Sequence, residues 1–303
     1  MIRILGTIFA GMLGLAFGSF LNVCLSRWPE GESVVSPRSH CRNCDHTLAW
    51  WENLPLVSWV GLGGRCRKCG SWIGWRYPLA ELAVGALWAN QAWRWLSVIL
   101  DPNIASMDLF GHFNYLNELY FAIGMLIFYW VLVALAILDA ENLWLPDAIT
   151  IPGIVLGFAF NVLYRVVSSQ QSNDLSASAN SAMAWSIGGY LVAIVAAALL
   201  ILLIRWIYWL IRRREGIGLG DAKVMALLAA WLGFPQTLLA FFIGIVLGAV
   251  VALVQLAIPD RRDHSGRWGL TKLPLATFLC IGGIVSALWG QPIIAVYLRW
   301  SGF

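Results

Sequence analysis

The stretch GIGLGDAKVMALLAAWLG, residues 216–233, sets a carboxylate, Asp221, and an ammonium group, Lys223, at the start of an apolar run. Arg212, Arg213 and Arg214 stand just upstream. Ionisable groups at membrane depth are costly, so an acid at the mouth of such a run is a functional candidate. Gly216, Gly218 and Gly220 resemble a nucleotide loop only weakly, because no strand precedes them and no acid follows at dinucleotide-binding distance. They read better as room for an extended peptide beside the acid. Lys223 lies two positions beyond Asp221 and on a helix points away from it. It is expected to meet substrate or a lipid headgroup, or to snorkel.

The rest of the chain explains why an apolar run dominates here. The 303 residues are 60% hydrophobic and 12% charged, where a soluble domain carries roughly a quarter charged residues. Such a chain needs lipid as its solvent, and its 18 Trp and 8 Tyr suit two membrane interfaces. The net charge of +4 is modest and sits beside apolar spans, so no nucleic-acid partner is expected. A span needs about 20 mostly apolar residues. Eight stretches qualify: roughly 4–25, 79–100, 118–138, 147–167, 183–211, 217–235, 237–258 and 273–298. The first runs into SRWPEGESVVSPRSH with no small-residue cleavage site, so it reads as a retained helix and not a signal peptide. The fold class is therefore an all-α polytopic membrane protein.

Lysine and arginine in short loops set orientation. Segment 26–78 holds seven, whereas 101–117 and the polar loop 168–182 hold none. Arg205 and Arg212 to Arg214 mark the next turn, and Arg261, Arg262, Arg267 and Lys272 mark 259–272. The alternation predicts both termini outside. The 26–78 segment, the 139–146 connection, residues 212–221 and the 259–272 loop then face the cytosol.

Segment 26–78 carries Cys41-x-x-Cys44 and Cys66-x-x-Cys69. Such spacing reads as zinc in a reducing compartment and as disulfides in an oxidising one. A cytosolic placement favours a zinc ion held by four thiolates, against a redox role for either pair. Four cysteine ligands close the tetrahedron, so the metal is expected to be structural. Its loops have too little apolar surface to fold alone, and metal binding could supply the folding energy. His40 and His46 are expected to be solvated. The module is a small insertion between the first two spans.

A second acid, Asp139, ends the third span in VLVALAILDAENLWLPDAIT. The plain reading of each acid is a helix end in water. Opposite chain directions, however, bring Asp139 and Asp221 to one level, and paired carboxylates that share a proton can activate water and protonate a leaving group. Asp221 at a helix N-terminus is expected to be the readier anion, and Asp139 at a C-terminus the readier acid. Asp147 follows Pro146 and reads as a helix-start acid.

Four ordered motifs resemble those of the type IV prepilin peptidase family. They are FGSFLNVCLSRWP (17–29), the cysteine segment with ENLPLVSW and RYPLAE, LDAENLWLPDAIT, and GIGLGDAK. The resemblance covers nearly the whole chain, and the GLGD core is similar to that of presenilin-type proteases. It implies an aspartic peptidase of the cytoplasmic membrane with Asp139 and Asp221 as the catalytic pair. Its substrates would be prepilins or pseudopilins, cut after a glycine at the cytosolic face. It also implies methylation of the freed amino group from S-adenosylmethionine. Gly218, Gly220, Lys223 and Asp147 are the supporting candidates. Asn22, Arg27, Arg76 and Glu81 are the candidates for methyl transfer, with Glu81 binding an amine, pairing with Arg76, or merely starting a helix.

The expected division is a first span (1–26), a cysteine module (27–78), a second span with its outer loop (79–116), and a six-helix peptidase core (117–303). One rival keeps the peptidase and makes the cysteine module a docking element for the pilus or secretion assembly. Another is a proton-coupled transporter or scaffold, which would need its acids at mid-bilayer.

Overall fold

The computed structural model describes residues 1–101, 115–171, 177–213, 218–257 and 273–302. The expected loops 101–117, 168–182 and 259–272 lie wholly or partly outside these residues, as do Arg214 and Gly216. The helices are α1 (Ile2–Arg27), α2 (Val57–Gly61), α3 (Arg76–Ile99), α4 (Tyr115–Asn142), α5 (Asp147–Gln171), α6 (Ala177–Arg212), α7 (Leu219–Leu232), α8 (Phe234–Ala257) and α9 (Leu275–Ser301). Among the described residues no strand forms, and extended backbone pairs only as the isolated bridges His40–Thr47 and Arg65–Trp72.

Six of these helices are long and apolar enough to cross a membrane: α1, α4, α5, α6, α8 and α9. Large apolar side chains such as Val192, Phe242 and Val296 stay exposed on them, as lipid-facing helices require. The chain is a multi-pass membrane protein. Among the described residues the expected count of eight spans is not confirmed, for two different reasons. Helix α3 has the length, but Arg76, Glu81, Asn90, Gln91 and Arg94 dilute its apolar content. Helix α7 has 14 residues and is about 21 Å long.

The chain divides into two compact units, Met1–Ala134 and Leu135–Phe303. In the first, α1 packs along α3, and glycine makes the approach possible. A Cβ on Gly18 would lie 2.6 Å from Glu81 Cα, and one on Gly14 2.9 Å from Gly85 Cα, the small-residue packing of helices in lipid. Indole groups tie in the start of α4: Trp88 Nε1 donates to Leu126 O at 3.1 Å and Trp130 Nε1 to Phe17 O at 3.2 Å.

The second unit is built around α7. From Ala222 to Trp231 only Lys223 escapes burial, which suits a helix apolar on all sides. It packs against α5, α6, α8 and α9. Trp231 stacks on Phe160 with ring centroids 5.1 Å apart and donates Nε1–H to Gly153 O at 2.9 Å. Asn161 Nδ2 donates to Ala230 O at 2.8 Å and Trp231 O at 3.2 Å, satisfying carbonyls that a helix end leaves open. Gly233, at φ 77°, then turns the chain into α8.

Candidate active site and cysteine centre

Asp139 lies in the last turn of α4 and is buried, 6% exposed. Its Oδ2 accepts the backbone N–H of Thr277 at 2.8 Å, and the Thr277 hydroxyl lies 3.2 Å away. That hydroxyl is also 2.9 Å from Ala136 O, so one proton serves two acceptors. Thr277 belongs to the first turn of α9, where backbone N–H groups have no partner within the helix.

Asp221, 8% exposed, sits in the first turn of α7. Its Oδ2 reaches back to the N–H of Gly218 at 3.0 Å, closing the helix start as a capping acid does. Helix α7, which carries Asp221, packs against α9, which carries Thr277 and the fully buried Cys280. Both acids thus lie in one compact unit, beside the first turns of α9. Each accepts a backbone N–H from the start of a helix. The asymmetry expected from helix ends alone is therefore not what distinguishes them, because Asp139 ends its own helix but is bonded to the beginning of another.

Lys223 has a partner within the protein. Its Nζ pairs with Asp147 Oδ1, joining the first turn of α5 to α7. Asp147 starts α5 as expected, and it does this second job as well. The glycines differ from each other. Beside Gly220 the space is already filled by this chain: a Cβ there would lie 2.6 Å from Leu145 Cδ1. Gly218 is exposed, and among the described residues a Cβ there would meet Asp221 Oδ2, at 3.4 Å, and Gly220 N, at 3.8 Å. Thr277 and Leu145 escaped the sequence reading. No charge or spacing marks either residue, and Thr277 is 138 positions from the acid it touches.

The four cysteines converge, with all Sγ atoms within 4.8 Å of one another. Cys41 and Cys69 are 3.8 Å apart and Cys44 and Cys66 4.0 Å. A tetrahedron of ligands at about 2.3 Å from zinc has edges of about 3.8 Å, so the donor set fits that ion. Both pairs use one turn. Cys41 N–H donates to His46 O and Asp45 N–H to Cys41 O; Cys66 N–H donates to Ser71 O and Gly70 N–H to Cys66 O, all at 2.9 Å. Asp45 and Gly70 take positive φ at matching places. The Ser71 hydroxyl, 3.1 Å from Cys69 Sγ, holds that thiol down to about 5, favouring the thiolate a metal needs. Trp59, Trp72 and Trp75 cluster beneath the second turn, with Trp59 and Trp75 centroids 4.6 Å apart.

His46 is not simply solvated: its Nε2 lies 3.2 Å from Glu52 Oε2. The same carboxylate oxygen accepts Ala49 N–H at 2.8 Å, and these contacts, the backbone one first, hold Glu52 below the usual glutamate range.

A cavity of about 750 Å³ opens beside the cysteines, in the first unit. Asn22, Arg27 and Glu81 line it; Arg76 does not, and its guanidinium lies over the Tyr77 ring, 4.7 Å from the centroid. Arg27 is buried and gives Nη1–H to Ser33 O at 2.7 Å and Nη2–H to Pro37 O at 2.6 Å, fastening the chain that leaves α1. Asn22 Nδ2 donates to Tyr77 O at 3.0 Å. Glu81 is buried, and its Oε2 accepts Leu56 N–H at 2.7 Å.

Comparison with known proteins agrees along the whole chain. Residues 12–95 match the bacterial peptidase A24 N-terminal domain, and residues 126–253 match the type IV leader peptidase family. A prepilin leader peptidase/N-methyltransferase of Pseudomonas aeruginosa is 32% identical over 96% of this chain and 93% of its own length. Proteins of the same description from Pseudomonas putida and Stutzerimonas stutzeri are also 32% identical, over 97% and 96% of this chain and 94% and 93% of theirs. No solved structure matches. With relatives this similar over nearly their full length, the chain belongs to the type IV leader peptidase family.

Proposed function

We propose that this protein cleaves the leader of prepilins or pseudopilins and then methylates the new amino terminus. The observation that carries the first activity is the burial of Asp139 and Asp221 in one compact unit, each bonded to a helix-start N–H. In this reading one carboxylate takes a proton from water, whose oxygen attacks the scissile carbonyl carbon. The partner carboxyl group gives its proton to the departing amide nitrogen. Gly218 leaves open backbone beside Asp221 for an extended peptide, while Lys223 and Asp147 hold the two helix starts together. The site faces the cytosol across the inner membrane, where a basic leader would meet a scissile bond at the interface.

The 27–78 module serves methyl transfer, with the catalytic core in 117–303. S-adenosylmethionine supplies the methyl group when bound. The four cysteines would hold a structural zinc ion, since a closed thiolate set leaves no position for substrate. The test uses purified prepilin. Asp139→Ala and Asp221→Ala should each abolish cleavage while the protein still inserts, and cleavage retained by either removes that residue from the pair. The mass of the mature N-terminus separates a bifunctional enzyme from a peptidase whose cysteine module only docks on the pilus or secretion assembly.

A further inference from the structure

The cysteine module exposes apolar side chains that a domain surrounded by water would bury. Val57 and Val60, one turn apart on α2, are 67% and 70% exposed. Trp72 and Trp75 are 53% and 60% exposed. Trp59, also on α2, ties these residues together, its ring centroid 5.7 Å from that of Trp72 and 4.6 Å from that of Trp75. An apolar surface of this kind marks a contact with another protein or with lipid. The depth of the patch decides between them. Leu56, immediately before α2, donates its N–H to Glu81 Oε2 at 2.7 Å. Glu81 in turn packs on α1, where a Cβ on Gly18 would lie 2.6 Å from Glu81 Cα. At this level α1 still exposes Phe17 and Phe20, and α3 exposes Leu79 and Leu82. Gly18 also lies within the stretch of α1 that is long and apolar enough to cross a membrane. The start of α2 therefore lies alongside α1 and α3, not beyond their ends. Charge points the same way. From Val57 to Arg76 the chain has four cations, Arg65, Arg67, Lys68 and Arg76, and no acid. Arg65 and Lys68 are exposed. Tryptophan with nearby cations suits the headgroup level of an anionic leaflet.

We propose that α2, Trp72 and Trp75 are embedded in the interfacial layer of the leaflet in which α1 ends, with Arg65 and Lys68 meeting its anionic headgroups. Apolar and aromatic side chains enter such a layer in the plane of the membrane without spanning it. The cysteine module is then held at the bilayer by its own surface as well as by the two helices that flank it. Lipid is the occupant because a protein partner would have to displace it at the level of Phe20 and Leu82, which face outward from the same pair of helices. The inference needs α1 to cross the membrane and rests on neither proposed activity.

The experiment uses the full-length, metal-loaded protein in lipid nanodiscs of phosphatidylethanolamine and phosphatidylglycerol. A diazirine that partitions into the acyl chains and a water-soluble one are photolysed in parallel, and the labelled peptides are mapped by mass spectrometry. Peptides containing Val57, Val60, Trp72 and Trp75 should take the lipid-borne label to an extent comparable with α8 peptides containing Phe242 and Val250, and should be spared by the water-borne one. In the double variant Val57→Glu with Val60→Glu the lipid-borne label on α2 should be lost while α8 keeps its own. Metal content and thermal melting report whether the variant is folded; if it is not, the wild-type pattern decides. Module peptides labelled from water and spared from lipid in the wild type overturn the proposal and leave the face to a protein partner. Undiminished lipid-borne label on α2 in a folded double variant overturns it as well.

Discussion

Thr277→Val tests the support of Asp139 with little change of shape. Valine keeps the branched side chain and the backbone N–H that Asp139 Oδ2 accepts at 2.8 Å. Only the hydroxyl, 3.2 Å from the same oxygen, is lost. A hydrogen bond to a charged group contributes about 1.5–3 kcal/mol. Here the single proton is shared with Ala136 O, so the lower end applies, and about 1.4 kcal/mol is a factor of ten in rate. Cleavage of purified prepilin, followed by mass spectrometry of the leader, should show kcat lowered about tenfold. KM should be unchanged, because Thr277 acts through Asp139 and is a positioning residue. Thr277→Ser restores the donor and should restore most of the rate. A Thr277→Val enzyme within twofold of wild type, or a serine variant equally impaired, would refute the idea that this hydroxyl orients the acid.

Three further outcomes follow from the packing and charges. Gly157→Ala drives a methyl group into the Trp231 indole, so the protein should lose about 1–3 kcal/mol of stability, read as a lower melting temperature in detergent. The Lys223–Asp147 pair is 37% and 59% exposed, so Lys223→Ala should cost no more than about 1 kcal/mol. Exchanging the two residues as Lys223→Asp with Asp147→Lys should recover cleavage lost in either single variant, whereas a lysine that touches substrate would not be rescued. Glu52 has a depressed value in the folded module, so its contribution to stability is complete above the ordinary glutamate range, near 4.3, and is lost as pH falls through the depressed value. Tryptophan fluorescence of the module should therefore hold from pH 7 to about 5 and change only in stronger acid, and it should do so less steeply in Glu52→Gln.

The two acids were legible because each interrupts an apolar run, a signal carried by the residue itself. The cysteine centre was legible for a related reason. Each pair is a local turn, and only the meeting of two turns is long-range. The partners of these groups were not legible. Thr277 lies far along the chain from Asp139, and threonine near a helix start has many ordinary uses. Glu52 sits among tryptophans and reads as a loop acid until His46 and Ala49 are seen to enclose it. Hydropathy alone does not fix the number of spans, because it registers burial, and protein and lipid both bury apolar residues. Helix α7 is apolar because other helices surround it. Helix α3 illustrates the converse, with polar residues on a helix long enough to cross.

The length of α7 also makes bilayer thickness a variable of the chemistry. Fourteen residues reach about 21 Å, roughly 9 Å less than a hydrocarbon layer of about 30 Å. At least one end of this helix must then stop inside the layer, unless the lipid thins around it. A thicker membrane would draw the Asp221 end further from headgroups and water, and a thinner one would release it. Hydrophobic mismatch of this kind costs only fractions of a kcal/mol per Å, which is enough for acyl-chain length to tune how readily water and a polar leader reach the carboxylates.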